Sequence, residues 1–308
     1  MIIFRVEIAP QICIHAALNG HLHILEWAFR NDMVYNSITS YAARGGHLHI
    51  LKWAIARGCP WEPNVFVKAA ECGSLEILQY LRDSGCTWKA IATGSFGVES
   101  NPCAAAAKHG NLEALQWLRG HDCPWDFRTC SVAAENGHLE VLMWAHTNGC
   151  PWSLVPPGFE ETATTSAAKN GHFECLKYAK ENGCPLDTQA TYGAARRGQF
   201  ESLKWLHANG CPWDNRLCGT VAGIGRLDML KWLREQGAEW GFNIWLEAAR
   251  GAHLDVMKWM LEAGCPWDNR LCAEPGKSGS NPVKVWKWIC QVGCPNKECT
   301  THKAINID

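Results

Sequence analysis

The chain has 308 residues, 47% of them hydrophobic, enough to bury a substantial core in one large or two ordinary domains. A formal charge of −1, a pI near 6.9 and no run of five Lys/Arg exclude the basic excess that nucleic acid or an anionic membrane demands. No stretch approaches the ~18 apolar residues of a membrane span, and Arg5 and Glu7 interrupt the opening MIIFRVEIAP as a secretion signal. The expectation is a soluble protein of the cytoplasm or another reducing intracellular compartment, binding neither nucleic acid nor membrane.

Along the chain, a glycine recurs ahead of each Leu-rich segment: Gly20, Gly46, Gly73, Gly110, Gly137, Gly171, Gly198 and Gly225, with Ala252 and Asn281 in the last two places. The spacings are 26, 27, 37, 27, 34, 27, 27, 27 and 29 residues. A 27-residue unit repeated about ten times, with insertions at Lys89–Pro102 and Ser153–Thr164, predicts a solenoid.

The unit at 126–152 shows the grammar. Asp126 is a good N-cap, and Ala133-Ala134 let a short first helix pack closely. Gly137 turns the chain. The second helix has Leu139, Val141, Leu142, Trp144 and Ala145 apolar. Its intervening slots across the units read mostly acid early (Glu76, Glu113, Glu174, Glu201) and Lys later (Lys52, Lys177, Lys204, Lys231), which suits the helix dipole and side-chain pairing. Gly149 sits where a left-handed residue ends the helix, and Pro151 stands where no helix can continue.

Cys-Pro-Trp follows at Cys59, Cys123, Cys150, Cys211 and Cys265, between one unit and the next. Fifteen of the 17 tryptophans fall in two repeat slots, eight in the second helix (27, 53, 117, 144, 205, 232, 259, 288) and seven in the connector (61, 88, 125, 152, 213, 240, 267). A residue that recurs once per unit serves stacking, which every unit needs, so the tryptophans are expected to be buried between layers.

The string Ala-Ala-x-x-Gly-His-Leu-Glu-x-Leu at Ala133–Leu142, nearly repeated at Ala167–Leu176, resembles the ankyrin repeat, and the resemblance runs along essentially the whole chain. Two features depart from that family. Its Thr-Pro-Leu-His opening is absent, with Thr129-Cys130-Ser131-Val132 near that place, and the unit is six residues shorter than the family's 33. The missing residues are those of the β-hairpin finger. Short Trp- and Cys-rich units of this kind look like the divergent ankyrin arrays of large DNA viruses and some protists. The resemblance implies protein binding without catalysis or cofactor, and it does not carry over the finger contacts.

The chemical alternatives are weaker. Eight cysteines (59, 86, 123, 150, 184, 211, 265, 294) share the connector slot, at a layer spacing of about 10 Å. Disulfides need Cα atoms within about 7 Å, so buried small apolar thiols are expected. Cys290, Cys294, Cys299 and His302 have ligand-like density, but Cys294 is the connector slot again and no metal is expected. Gly276-Lys277-Ser278 lacks the glycine five residues earlier that a phosphate loop requires, Leu271 being there. Histidine follows the turn at His21, His47, His138, His172 and His253, where hydrogen bonding to a neighbouring loop is expected rather than a triad.

Basic residues stand two before the turn at Arg44, Lys108, Lys169, Arg196 and Arg250, with Arg197 beside them. They suit the carboxy end of a helix, and they also read as a basic stripe for an acidic partner. The expected architecture is therefore an all-α, elongated ankyrin-like solenoid of about ten helix–turn–helix units over 1–308, as one domain. It has a continuous Leu/Trp core, largely lacks fingers, and has atypical end units, the first without a connector. It would bind a partner protein as a monomer, at the basic residues and inserted loops. Alternatives are a substrate-recognition subunit of a ubiquitin-ligase-type assembly, for which repeats from about residue 8 to about 295 leave little room, or a metal- or redox-binding Cys-rich protein.

Overall fold

The computed structural model describes residues 3–33, 37–88, 101–152 and 162–268, with Val285, Trp288 and Ile289. Most of both insertions, the last unit's turn and the Cys290–His302 cluster lie outside the described residues. Among the described residues there are 18 α-helices and no strand, so the fingerless all-α reading holds.

The helices alternate. First helices are α1 (Ile3–Leu18), α3 (Ile38–Arg44), α5 (Val65–Cys72), α7 (Pro102–Lys108) and α9 (Phe127–Glu135). Their partners are α2 (Leu22–Arg30), α4 (Leu48–Ala56), α6 (Leu75–Asp83), α8 (Leu112–Gly120) and α10 (Leu139–Thr147). The pair α11 (Ala163–Asn170) and α12 (Phe173–Glu181) follows, then α13 (Thr188–Arg196), α14 (Phe200–Ala208), α15 (Leu217–Gly223), α16 (Leu227–Glu235), α17 (Ile244–Arg250) and α18 (Leu254–Glu262). The chain divides into two compact units, residues 1–167 with 174–184, and residues 168–173 with 185–308.

In the first unit α1, α3, α5, α7 and α9 pack side by side in order, and in the second α13, α15 and α17 do the same. The paired alanines make this close approach possible. Ala42-Ala43, Ala69-Ala70, Ala106-Ala107, Ala133-Ala134 and Ala194-Ala195 are all fully buried. Eight of the nine described second helices send one Leu inward from the same slot, and α18 sends Met257: Leu25, Leu51, Leu78, Leu115, Leu142, Leu176, Leu203, Leu230 and Met257 are at 0% exposure. Both ladders follow the 27-residue register read from the sequence.

Every described unit closes with the same hydrogen-bonded end. After α10, the Gly149 N–H donates to His146 O at 3.0 Å and the Cys150 N–H to Ala145 O at 3.0 Å, with Gly149 at φ 88°. That pattern satisfies two carbonyls the helix would otherwise leave bare, and it favours an apolar residue just past the glycine. Cys59, Cys86, Cys123, Cys184, Cys211 and Cys265 make the equivalent bond, and Ala238 takes their place in one unit. The connector cysteine is thus a small apolar plug. The first unit keeps this closure too: Asp32 adopts φ 55° in the glycine place and the Met33 N–H donates to Ala28 O. A missing first connector was expected; backbone hydrogen bonding preserves the turn without its usual residues.

In five of the units the residue after the turn ties the unit to the one before. Ring nitrogens of His47, His138 and His253 lie 3.0, 3.1 and 3.2 Å from Leu18 O, Lys108 O and Gly223 O, carbonyls at the carboxy end of the preceding first helix. Asn111 donates to Ala70 O and Glu71 O at 2.9 Å, and Arg226 to Gly198 O at 2.9 Å. The hydrogen-bonding role expected of the turn histidine is met at His47, His138 and His253, and other donors share it.

The tryptophans depart from expectation. The seven connector rings are half-buried, and Trp27 is 54% exposed. The core is mostly Leu, Ala and Cys, with most of the described Trp along its rim; Trp53 in a second helix and Trp245 in α17 are buried. Trp125 meets Trp144, Trp213 meets Trp232 and Trp240 meets Trp259 edge-on or tilted, at centroid distances of 5.9, 6.1 and 5.7 Å. In four connectors the ring also carries a side chain from six residues earlier: Arg119 on Trp125, His146 on Trp152, His207 on Trp213, Arg234 on Trp240. A ring clamped between a cation or imidazole and a second aromatic keeps its indole edge in water, an arrangement favourable to large amphipathic rings.

Candidate partner-binding site

The basic residues singled out in the sequence all stand at the carboxy ends of first helices. Arg44 lies 3.5 Å from Glu71, and Arg250 pairs with Glu247 at 2.7 Å. Lys108 is exposed and ends α7. Lys169 lays its stem against Gly193, 3.2 Å from where a Cβ would stand. Arg196 and Arg197 are exposed at the end of α13. They do not form an uninterrupted stripe. The same slot carries Glu71 and Glu135 in the first unit, and Gly223 in the second.

That glycine lies in a concavity of the second unit. A cleft of about 560 Å³ opens on the face made by α13, α15 and α17. Its floor is α15, where Gly219 and Gly223 replace side chains that other units carry, and Thr220 stands between them. Tyr192 and Arg196 of α13 form one wall; Glu247 of α17 and Phe242 of the connector form the other. Phe242 is 63% exposed. It is held there by Gly241, at φ 69°, whose Cα is so close to Asn215 that a Cβ would lie 2.0 Å from the Asn215 carbonyl oxygen. In four of the six other Trp connectors the residue after Trp is an acid (Glu62, Asp126, Asp214, Asp268). The cleft is thus lined where the repeat pattern breaks at several slots at once.

The cleft's charges are unevenly answered. Arg216 holds Asp214 through two guanidinium nitrogens, the closest at 2.7 Å, and the Asp214 side chain also accepts from the Tyr192 hydroxyl. The Arg216 bonds hold the Asp214 carboxyl well below the usual carboxylate range. Burial, with the bond to Asp214, pushes the Tyr192 hydroxyl up to about 12, so it stays a neutral donor. Arg216 also lies over the Tyr192 ring at 5.2 Å. Glu247 is engaged by Arg250. Arg196 has no ion pair among the described residues.

Sequence reasoning found Arg196 but not Tyr192, Arg216, Thr220, Phe242 or the glycine floor. The signal was present as the one interior unit whose charged slot reads Gly.

The cysteines offer no comparable site. The 13 described cysteines are free thiols, and no group of three or more His, Cys, Asp or Glu among the described residues is set to hold a metal. Burial pushes Cys218 up to about 11 and Cys265 up to about 12. The neighbouring Cys123 thiol, followed by burial, holds Cys103 well above an ordinary thiol, and Cys150 does the same to Cys130. Such thiols remain protonated and inert. No helix among the described residues is long and apolar enough to cross a membrane.

No curated protein matches the chain. The crystal structure of the human ASB11 ankyrin repeat domain is similar with a TM-score of 0.47 and 16% identity, over 56% of this chain and 84% of that one. The family model for ankyrin repeats (many copies) matches residues 130–179, which run from α9 into α12. Ankyrin repeats are thus recognised within residues 130–179, a segment of 50 of the 308 residues.

Proposed function

We propose that the chain is a non-catalytic scaffold that binds a partner protein, with the first-helix face of the second unit as its main contact surface. The observation that carries this reading is the cleft between α13, α15 and α17, where the repeat's own pattern lapses around an unanswered arginine. Features present once per unit serve stacking; a cluster of departures in one place serves something else. Charge complementarity at such a face governs encounter and partner choice. Arg196 and Arg197 contribute directly, while Arg44 and Arg250, already paired with Glu71 and Glu247, contribute less. Reducing intracellular surroundings fit a chain with so many free thiols.

The test is affinity capture from extract of the source cell with quantitative mass spectrometry, comparing the parent with an Arg196→Glu, Arg197→Glu chain. A partner enriched by the parent and lost from the variant is expected. Equal recovery by both would refute this face.

A further inference from the structure

We infer that the α13–α15–α17 cleft takes a short linear segment of the partner in which an acidic residue adjoins a large apolar one. This rests on the reading of the first-helix face as the binding surface and specifies its occupant.

In the units turning at Gly46 to Ala252, the residue two before the turn is Arg44, Glu71, Lys108, Glu135, Lys169, Arg196, Gly223 and Arg250. Seven of these eight side chains are long and charged, and the one that is missing leaves a depression of about 560 Å³. Gly219, one helical turn earlier, widens it; the equivalent place in the preceding unit is filled by Tyr192. A volume of this size accommodates one large side chain with some flanking backbone, well within the range of small binding clefts.

The walls then set the chemistry of what enters. Phe242 stands 63% exposed at the rim, a large apolar surface that gains by being covered. Ile224 adds a second apolar patch beside the floor. Two charge pairs are closed within the protein, Arg216 with Asp214 and Arg250 with Glu247. Arg196 therefore contributes the unmatched positive charge, and a carboxylate is the group that matches it, through a planar fork suited to bidentate bonding. An incoming Lys or Arg would instead face an uncompensated like charge at Arg196. The Tyr192 hydroxyl is committed to Asp214 and fixes Arg216 in place, so the wall is set before anything binds.

The experiment uses the whole chain. A phage-displayed random peptide library is selected on it, and one enriched sequence is synthesised with a fluorescein label for anisotropy measurements. The selected sequences are expected to place Asp or Glu next to Phe, Tyr, Trp or Leu. Arg196→Gln should weaken that peptide at least tenfold and flatten the dependence on KCl. Gly223→Gln, which restores a side chain to the floor, should weaken it by a similar factor, while Arg44→Gln should stay within twofold of the parent. Arg196 is exposed, so its variant keeps the fold even if the glycine variant does not. Selected sequences without an acidic residue, or a peptide indifferent to Arg196→Gln, would overturn the inference. If no peptide is enriched but the doubly reversed chain still loses its captured partner, the occupant is a folded surface and this inference alone fails. If capture is unaffected as well, the reading of the face fails with it.

Discussion

Gly210 and Gly225 have nearly the same backbone, at φ 72° and 74°, but different surroundings. A Cβ added at Gly210 meets nothing within 4 Å; one added at Gly225 falls 2.3 Å from Nδ1 of His253. In Gly210→Ala the cost is only that of an L-residue held left-handed, about 1–2 kcal/mol, offset by up to about 1 kcal/mol from a less flexible unfolded chain. A net loss of about 0.5–1 kcal/mol is expected. Gly225→Ala carries the same cost and also forces the imidazole away, breaking its 3.2 Å contact with Gly223 O. Losing one such hydrogen bond adds about 1 kcal/mol and strips a helix-end carbonyl of its partner, so the total should reach about 2–3 kcal/mol. Urea unfolding followed by circular dichroism measures both. A double-mutant cycle isolates the cause: in a His253→Ala background the Gly225→Ala cost should fall to that of Gly210→Ala. Equal costs for the two single variants, or an unchanged Gly225→Ala cost without His253, would refute the inter-unit tie.

Ala252, at φ 57°, occupies a turn place that is glycine in the preceding units, so Ala252→Gly should raise stability by about 0.5–1 kcal/mol in the same assay. Trp213→Ala should cost about 2–3 kcal/mol, less than a fully buried aromatic because the ring is only half-covered by His207 and Trp232; a loss below about 0.5 kcal/mol would show the clamp to be idle. Native-state titration with an aromatic disulfide reagent at pH 8 should find at most six of the 17 cysteines reacting quickly, since 11 are buried, and all of them in denaturant. The bond from Arg226 holds the Asp228 carboxyl down to about 2, so that pair contributes above about pH 4 and is lost as pH falls towards 2. Both groups are well exposed, so Asp228→Asn should cost only a few tenths of a kcal/mol at pH 7 and nothing at pH 2.

The register of this fold was legible because its determinants are local. Turn glycines, the Ala-Ala pair, Asp126 as an N-cap (its side chain accepts from the Arg128 N–H at 3.0 Å) and Gly149 at a left-handed helix end each act within a few residues. The depth of the tryptophans was not legible. Recurrence identifies a stacking residue but does not separate a ring within the core from one clamped at its rim, a difference set by the Arg or His six residues earlier. The candidate site was partly hidden for the opposite reason. Looking for recurring cations finds Arg44, Lys108, Lys169, Arg196 and Arg250, but the cleft forms where recurrence stops, at Gly219, Gly223 and Gly241. Which neighbours neutralise Arg216 and Glu247 and leave Arg196 unpaired depends on side chains from three helices and two connectors, and no single periodicity encodes that.

The tie between consecutive units has a consequence for how such a chain changes over generations. His47, Asn111, His138, Arg226 and His253 differ in chemistry, yet each donor reaches the same kind of target, a backbone carbonyl at the end of the preceding first helix. A backbone carbonyl is present whatever the residue, so the joint does not depend on matched side chains in adjoining units. Units joined by such a tie are therefore compatible neighbours, and a gene that gains or loses one of these 27-residue segments in frame still encodes a sound junction wherever a donor stands after the turn. Length can drift by whole segments while each junction remains intact, and the surface offered to a partner can be lengthened, shortened or reordered without redesigning the fold.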